Sequence, residues 1–116
     1  MAADEILVRL RSICLALPET RETITWEHPN FRVGDKIFCS YSGDKNEQRS
    51  IGFKTGKEIQ GVFLKDPRFF KPAYVGQHGW VGLHCDAAPI NWDEVAELVK
   101  QSYRLIAPKR LAKLVT

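Results

Sequence analysis

Cysteine is scarce in this chain and poorly placed for chemistry. Cys14, Cys39 and Cys85 are odd in number, lack C-x2-C spacing and fall inside periodic apolar segments. That excludes a disulfide scaffold or a cysteine-rich metal module, and predicts buried, reduced thiols of a cytoplasmic protein. Long apolar runs are missing too. The first apolar stretch follows Asp4-Glu5 rather than a cationic segment and is broken by Arg9 and Arg11, so neither a secretory leader nor a membrane span is expected. Charge of one sign is not in excess either: 17 Lys and Arg against 14 Asp and Glu leave +3 and a pI near 8.8, just below the range in which basicity alone argues for a nucleic-acid partner. Repeats, linkers and low-complexity tracts are absent. So are a GxSxG elbow, a Gly-rich phosphate loop and an HExxH motif, and with no such constellation the chain is expected to be non-enzymatic and to carry no cofactor.

What is present suffices for a fold. At 116 residues and 44% apolar content, residues 1–116 are expected to form one domain around one core. Ile6, Leu10, Ile13 and Leu17 recur at helical spacing, so a helix is predicted over 4–17, ended by Pro18. Residues 19–22 are read as a polar connection and 23–26 as a strand interrupted at His28-Pro29, where the imino acid suits a bulge or an edge. Gly34-Asp35 is flanked by strand-forming residues, and a Gly-led two-residue turn accommodates the positive φ of a type II′ hairpin. Pairing is then expected to run Val33 with Lys36, Arg32 with Ile37 and Phe31 with Phe38. Phe31, Val33 and Phe38 would face the core, and Arg32, His28 and Tyr41 the other side.

Further strands are predicted over 36–42, 49–55 and 78–85, with Val81, Leu83 and Cys85 alternating against Trp80, Gly82 and His84. A short helix is expected over 56–64, with Ile59, Val62 and Phe63 on its apolar face. Residues 65–75 read as a long connection, a kind of segment that often carries function. Asn91 is placed to cap a final helix, with Glu94 in the capping-box position and Ile90 stapling onto Val95. Pro108 ends that helix, and one more helical turn or two is expected after it. Two helices on one face of a mostly antiparallel sheet, an α+β sandwich, is the economical packing for this order.

Three blocks carry a family resemblance. Residues 22–38, with His28-Pro29, the aromatic Phe31, the basic Arg32 and the Gly34-Asp35 turn, resemble the signature hairpin of the MmcQ/YjbR family. Residues 69–81, from Phe69-Phe70-Lys71-Pro72 to Gly76-Gln77-His78-Gly79-Trp80-Val81, look like its second block. Asn91-Trp92-Asp93-Glu94-Val95 and Ser102-Tyr103-Arg104-Leu105-Ile106-Ala107-Pro108-Lys109 look like its closing helix. The blocks span nearly the whole chain in the right order. The resemblance implies a CyaY-like α+β fold related in shape to frataxins. It also implies a DNA-binding role by analogy of exposed hairpins with a double wing.

On that implication the candidate contacts to the phosphate backbone of double-stranded DNA are Arg32 and Lys36 at the first hairpin tip, Lys45 and Arg49 at the second, and Arg104, Lys109 and Arg110 at the basic carboxy-terminal end. Asp35, Asp44 and Glu47 dilute the positive field at the wings, and the acid-first, base-last order of the final helix is also what its dipole favours. The alternative is a small-ligand or protein-interaction module using the Tyr74-to-Trp80 surface, with His28, Tyr74, His78 and Trp80 as candidates. No metal is expected, because His84 and Cys85 are neighbours on opposite strand faces. Iron on a frataxin-like acidic first helix is opposed by Arg9 and Arg11. A monomer without an obligate protein partner is expected.

Overall fold

One helix, four strands, a short helix, two strands and two closing helices follow one another along the chain, and all six strands join one antiparallel sheet. The computed structural model describes residues 4–25, 27–43 and 48–115. Helix α1 (Glu5–Leu15) starts where Asp4 Oδ1 accepts from the amides of Ile6 and Leu7 at 3.1 and 3.3 Å, satisfying two donors that a helix start leaves unpaired. Strands β1 (Thr20–Thr25), β2 (His28–Val33), β3 (Lys36–Ser42) and β4 (Ser50–Lys54) form a meander. Then come α2 (Lys57–Leu64), the edge strand β5 (Phe69–Phe70), a 3₁₀ turn (Val75–His78), β6 (Trp80–His84), α3 (Trp92–Ile106) and α4 (Lys109–Ala112). The sheet order is β1-β2-β3-β4-β6-β5.

The expected α+β sandwich is the observed one: α1 and α3 cover the same face of the sheet. Between them lie Leu10 and Cys14 of α1, Phe31, Phe38, Cys39, Ile51, Phe53 and Val81 of the sheet, and Val95, Val99 and Tyr103 of α3, all essentially inaccessible. Each large apolar side chain buried this way contributes about 1.5–3 kcal/mol. Tyr103 meets Phe38 edge to face at 5.3 Å and donates its hydroxyl to the Pro18 carbonyl at 2.6 Å. Helix α3 is capped as expected by Asn91, whose Oδ1 accepts from the Glu94 amide. Glu94 does not close the reciprocal half of the box; its carboxylate holds Arg68.

Gly34 takes φ +61° and the hairpin closes with Val33 opposite Lys36 and Arg32 opposite Ile37, as the turn demands. The next pair departs from expectation. Phe31 stands opposite Cys39 rather than Phe38, because a β-bulge admits one extra residue in β3 and sends both Phe38 and Cys39 inward. Past the bulge the alternation is inverted, so Tyr41 is buried on the core face, where its hydroxyl donates to Asp4. Tyr41 therefore does not share a face with His28 and Arg32, while Ser40 and Ser42 do. Burial and the bond to Asp4 push the Tyr41 phenol well above its ordinary range.

Other boundaries moved for identifiable reasons. β1 starts at Thr20, inside the expected polar connection, because Glu22 is matched by Arg11 of α1 and the Thr20 hydroxyl bonds the Cys14 and Leu17 carbonyls. Pro29 does not break a strand: it sits within β2 opposite Ile24, and the ladder to β3 begins only at Asn30, so its missing amide removes no rung there. The chain turns instead at Glu27, φ +67°; Trp26, expected to end the strand, lies outside the described residues. Residues 69–70 of the presumed connection are a strand, paired with β6. Of the apolar face expected for α2 only Phe63 reaches the core, packing against Phe53 and Phe69 beside Leu64, whereas Ile59 and Val62 are exposed.

Candidate functional site

Neither α1 nor α3 covers the second face of the sheet. Strand alternation and register place Arg32, Asn30 and His28 of β2, Ile37, Ser40 and Ser42 of β3, Gly52 of β4, and Trp80, Gly82 and His84 of β6 on this face. Phe70 crosses Gly82 so closely that a Cβ there would stand 2.3 Å from its ring, and the ring stacks on His84 at 4.5 Å. Beside this patch lies a groove of about 260 Å³. Its apolar lining is Ile37, Trp80 and Val75 of the 3₁₀ turn, and its polar lining is Thr25, His28, Asn30, Ser40 and Ser42. Of the ligand candidates, the structure brings His28 and Trp80 together here. Tyr74, at φ +66° and 89% exposed, and His78 lie outside the lining.

The wing cations are differently disposed. Arg32 lies flat against β1, donating to the Thr23 and Thr25 hydroxyls and to the Asp35 carbonyl at 2.7–3.3 Å. Arg49 donates Nε and Nη2 to one oxygen of Asp86, Oδ1, at 2.9 and 2.5 Å, gives its backbone amide to the other at 2.8 Å, and reaches Asp4 at 3.4 Å. The Arg49 contacts hold the Asp86 carboxyl below its usual range. Arg110 pairs with Glu19 at 2.7 Å, which lowers the Glu19 carboxyl likewise. Lys36 is exposed at the hairpin tip with no ion-pair partner among the described residues. Lys45 lies outside the described residues, as does the neighbouring Asn46.

Arg104 and Lys109 do converge. With Lys113 they line an open groove of about 750 Å³ between α2, α3 and α4, whose other polar groups are Thr55 and Gln101. No carboxylate lines it, and none of the three cations forms an ion pair among the described residues. The three helices meet here because Pro108 ends α3 and turns α4 back, its carbonyl accepting from Leu111 and Ala112, while Leu111 and Val115 anchor the end of the chain in the core. Ile59 and Leu105 give the walls an apolar component. The thiols take no part in either groove: all three are buried, and burial pushes Cys85 up to about 12 and raises Cys14 as well. No group of three or more His, Cys, Asp or Glu side chains that could hold a metal ion occurs among the described residues.

Sequence reasoning missed Ser40, Ser42 and Ile37 as groove residues, since the bulge that presents the serines leaves no composition signal. Lys113 was visible only as one member of a basic tail. A signal for Ile37 existed: it alternates against Lys36 and Phe38, so a core-facing Phe38 obliges an outward Ile37.

The family model described as YjbR matches residues 15–105. Among solved structures, the chain is similar to the Deinococcus radiodurans protein DR2400, described as carrying the domain DUF419, at 20% identity and a TM-score of 0.76 over 94% of this chain and 86% of that one. It is also similar to a protein from Pseudomonas syringae, at 19% identity and a TM-score of 0.67 over 90% of this chain and 98% of that one. At these identities the two structures speak to fold alone. No curated protein matches the chain.

Proposed function

The chain belongs to the YjbR family, and from that premise we propose that it is a non-enzymatic DNA-binding module acting on the phosphate backbone of a duplex. The observation that carries this reading is the convergence of Arg104, Lys109 and Lys113 on one groove without a carboxylate. Phosphate contact needs cations whose donors are not already satisfied, and these three meet that condition where Arg32, Arg49 and Arg110 do not. The hairpin wing then contributes Lys36, with the other wing arginines acting as braces. Contacts of this kind position a duplex without reading its bases, so binding is indifferent to sequence. A monomer working in the cytoplasm fits the buried thiols, and no helix of the described residues is long and apolar enough to cross a membrane.

The test is a titration of fluorescently labelled duplex at several salt concentrations. Neutralising four phosphates, three at the groove and one at Lys36, predicts a log-log slope of about −3.6. Replacing Arg104, Lys109 and Lys113 together by Gln removes most of that slope, while Arg49→Gln leaves it unchanged. Absence of binding at low salt, or a wild-type slope in the triple variant, overturns the reading.

A further inference from the structure

The groove on the open sheet face has no part in phosphate contact, and its chemistry is of another kind. Its lining holds no Lys, Arg, Asp or Glu, and His28 is its one titratable side chain, so no permanent charge in it offsets the desolvation of a charged ligand. A neutral occupant is therefore favoured. Its volume of about 260 Å³ exceeds the roughly 150 Å³ that encloses one benzene ring, and so suits a fused pair of rings. Trp80 supplies an aromatic wall, resting on the sheet beside Gly52, where a Cβ would come within 3.9 Å of its Cε3. Ile37 stands on β3, across β4 from Trp80, and Val75, 43% exposed, overhangs from the 3₁₀ turn.

The polar groups offer both senses of hydrogen bond along one side. Asn30 is 7% exposed and its amide nitrogen donates to the His28 carbonyl at 3.0 Å, while no donor reaches its Oδ1 among the described residues. The Thr25 hydroxyl accepts from Arg32 at 3.3 Å, which leaves its proton to give. The Ser40 and Ser42 hydroxyls, turned to this face by the bulge, both donate and accept. A hydrocarbon would leave these groups without partners, at a cost that favours a ligand carrying edge donors and acceptors.

We propose that this groove binds a neutral, planar, bicyclic heteroaromatic molecule of the size and edge chemistry of a purine base, stacked on Trp80 and hydrogen-bonded by Asn30, Ser40 and Ser42. The free base is the source the groove favours over a nucleotide, because no Lys or Arg lines it to hold a phosphate. This assignment is independent of DNA binding by the α2–α3–α4 groove.

The experiment follows backbone amide shifts of the full chain by NMR during titration with adenine and with hypoxanthine. Adenosine monophosphate and a short single-stranded oligonucleotide serve as contrasting arms. The expected result is saturable perturbation of Ile37, Ser40, Ser42 and Trp80 by a free base, at least roughly tenfold weaker for the nucleotide. Ile37→Glu, an outward-facing change that spares the core, and Ser42→Ala, which removes a donor, should each weaken the base, and Ser42→Ala should leave the salt slope for duplex unaltered. The assignment is overturned if neither base perturbs these amides at millimolar concentration, if perturbations map to the α3–α4 groove, if Ile37→Glu binds as wild type, or if the oligonucleotide binds this face more tightly than the free bases.

Discussion

Ser102→Ala tests the linkage between helix and sheet most directly. In the β3–β4 ladder Cys39 pairs with Phe53, so the next rung would join Phe38 to Lys54. That rung is absent; the Ser102 hydroxyl stands in its place, donating to the Phe38 carbonyl at 2.6 Å and accepting from the Lys54 amide at 2.9 Å. Ser102 is itself fully buried. Alanine keeps the helix and removes almost no apolar surface, so the loss is confined to two backbone groups left without a partner, the carbonyl of buried Phe38 and the amide of half-buried Lys54. Each such group costs about 1–3 kcal/mol, and partial closure of the strands recovers some of it, which gives a net destabilisation of about 3 kcal/mol. For a chain of 116 residues that corresponds to roughly 10–15 °C in Tm, between the sensitivities of smaller and larger domains. Urea denaturation followed by far-ultraviolet circular dichroism reads the difference, with an unchanged slope excluding a shift in the compactness of either state. A loss below about 0.5 kcal/mol, the range of ordinary surface substitutions, would refute the claim that a side chain completes this ladder.

Gly82→Ala places a Cβ 2.3 Å from Phe70 Cζ, so the ring must leave its stack on His84; destabilisation of about 1–3 kcal/mol is expected, checked by thermal melting, with Phe70→Leu in the same background recovering part of it. The Asp86 carboxyl is lowered from 3.8 chiefly by its bonds to Arg49, as Asp66 is by Arg68. A carboxyl lowered on folding contributes stability that is fully present above its ordinary value and is lost as the pH falls through the folded one. Melting temperature should therefore decline below about pH 4, and Asp86→Asn or high salt should shrink that decline; a profile unchanged by either would contradict the role given to the Arg49 pair.

Local patterns made much of this legible. The Asn91 cap, the Gly34 turn and the alternation of Trp80 to His84 each depend on residues close in sequence, and each stands as read. What escaped depends on partners far along the chain. β5 is two residues long and exists because β6 offers it an edge; Phe69-Phe70 flanked by prolines carries no periodicity to announce it. Glu22 sits in a strand because Arg11, on another element, neutralises it. The candidate cations show the same limit: Arg49 and Lys109 look alike in sequence, and only the folded chain distinguishes one held by Asp86 and Asp4 from one facing an open groove.

The bulge in β3 bears most on how stability and the open face are coupled. One extra residue between Phe31 and Arg32 of the partner strand inverts the alternation beyond it. Inward, the inversion delivers Cys39 and Tyr41 to the core, and Tyr41 ties the amino-terminal cap to the sheet through Asp4. Outward, it delivers Ser40 and Ser42 to the groove beside Trp80. Without it the pairing would carry Ser40 and Ser42 inward, leaving two hydroxyls to be satisfied in the core and placing a tyrosine in the groove. The bulge is held from behind by the same Ser102 hydroxyl that replaces the missing rung. A substitution that flattens β3 should therefore lower stability and erase the groove together, whereas Ile37→Glu alters the groove alone.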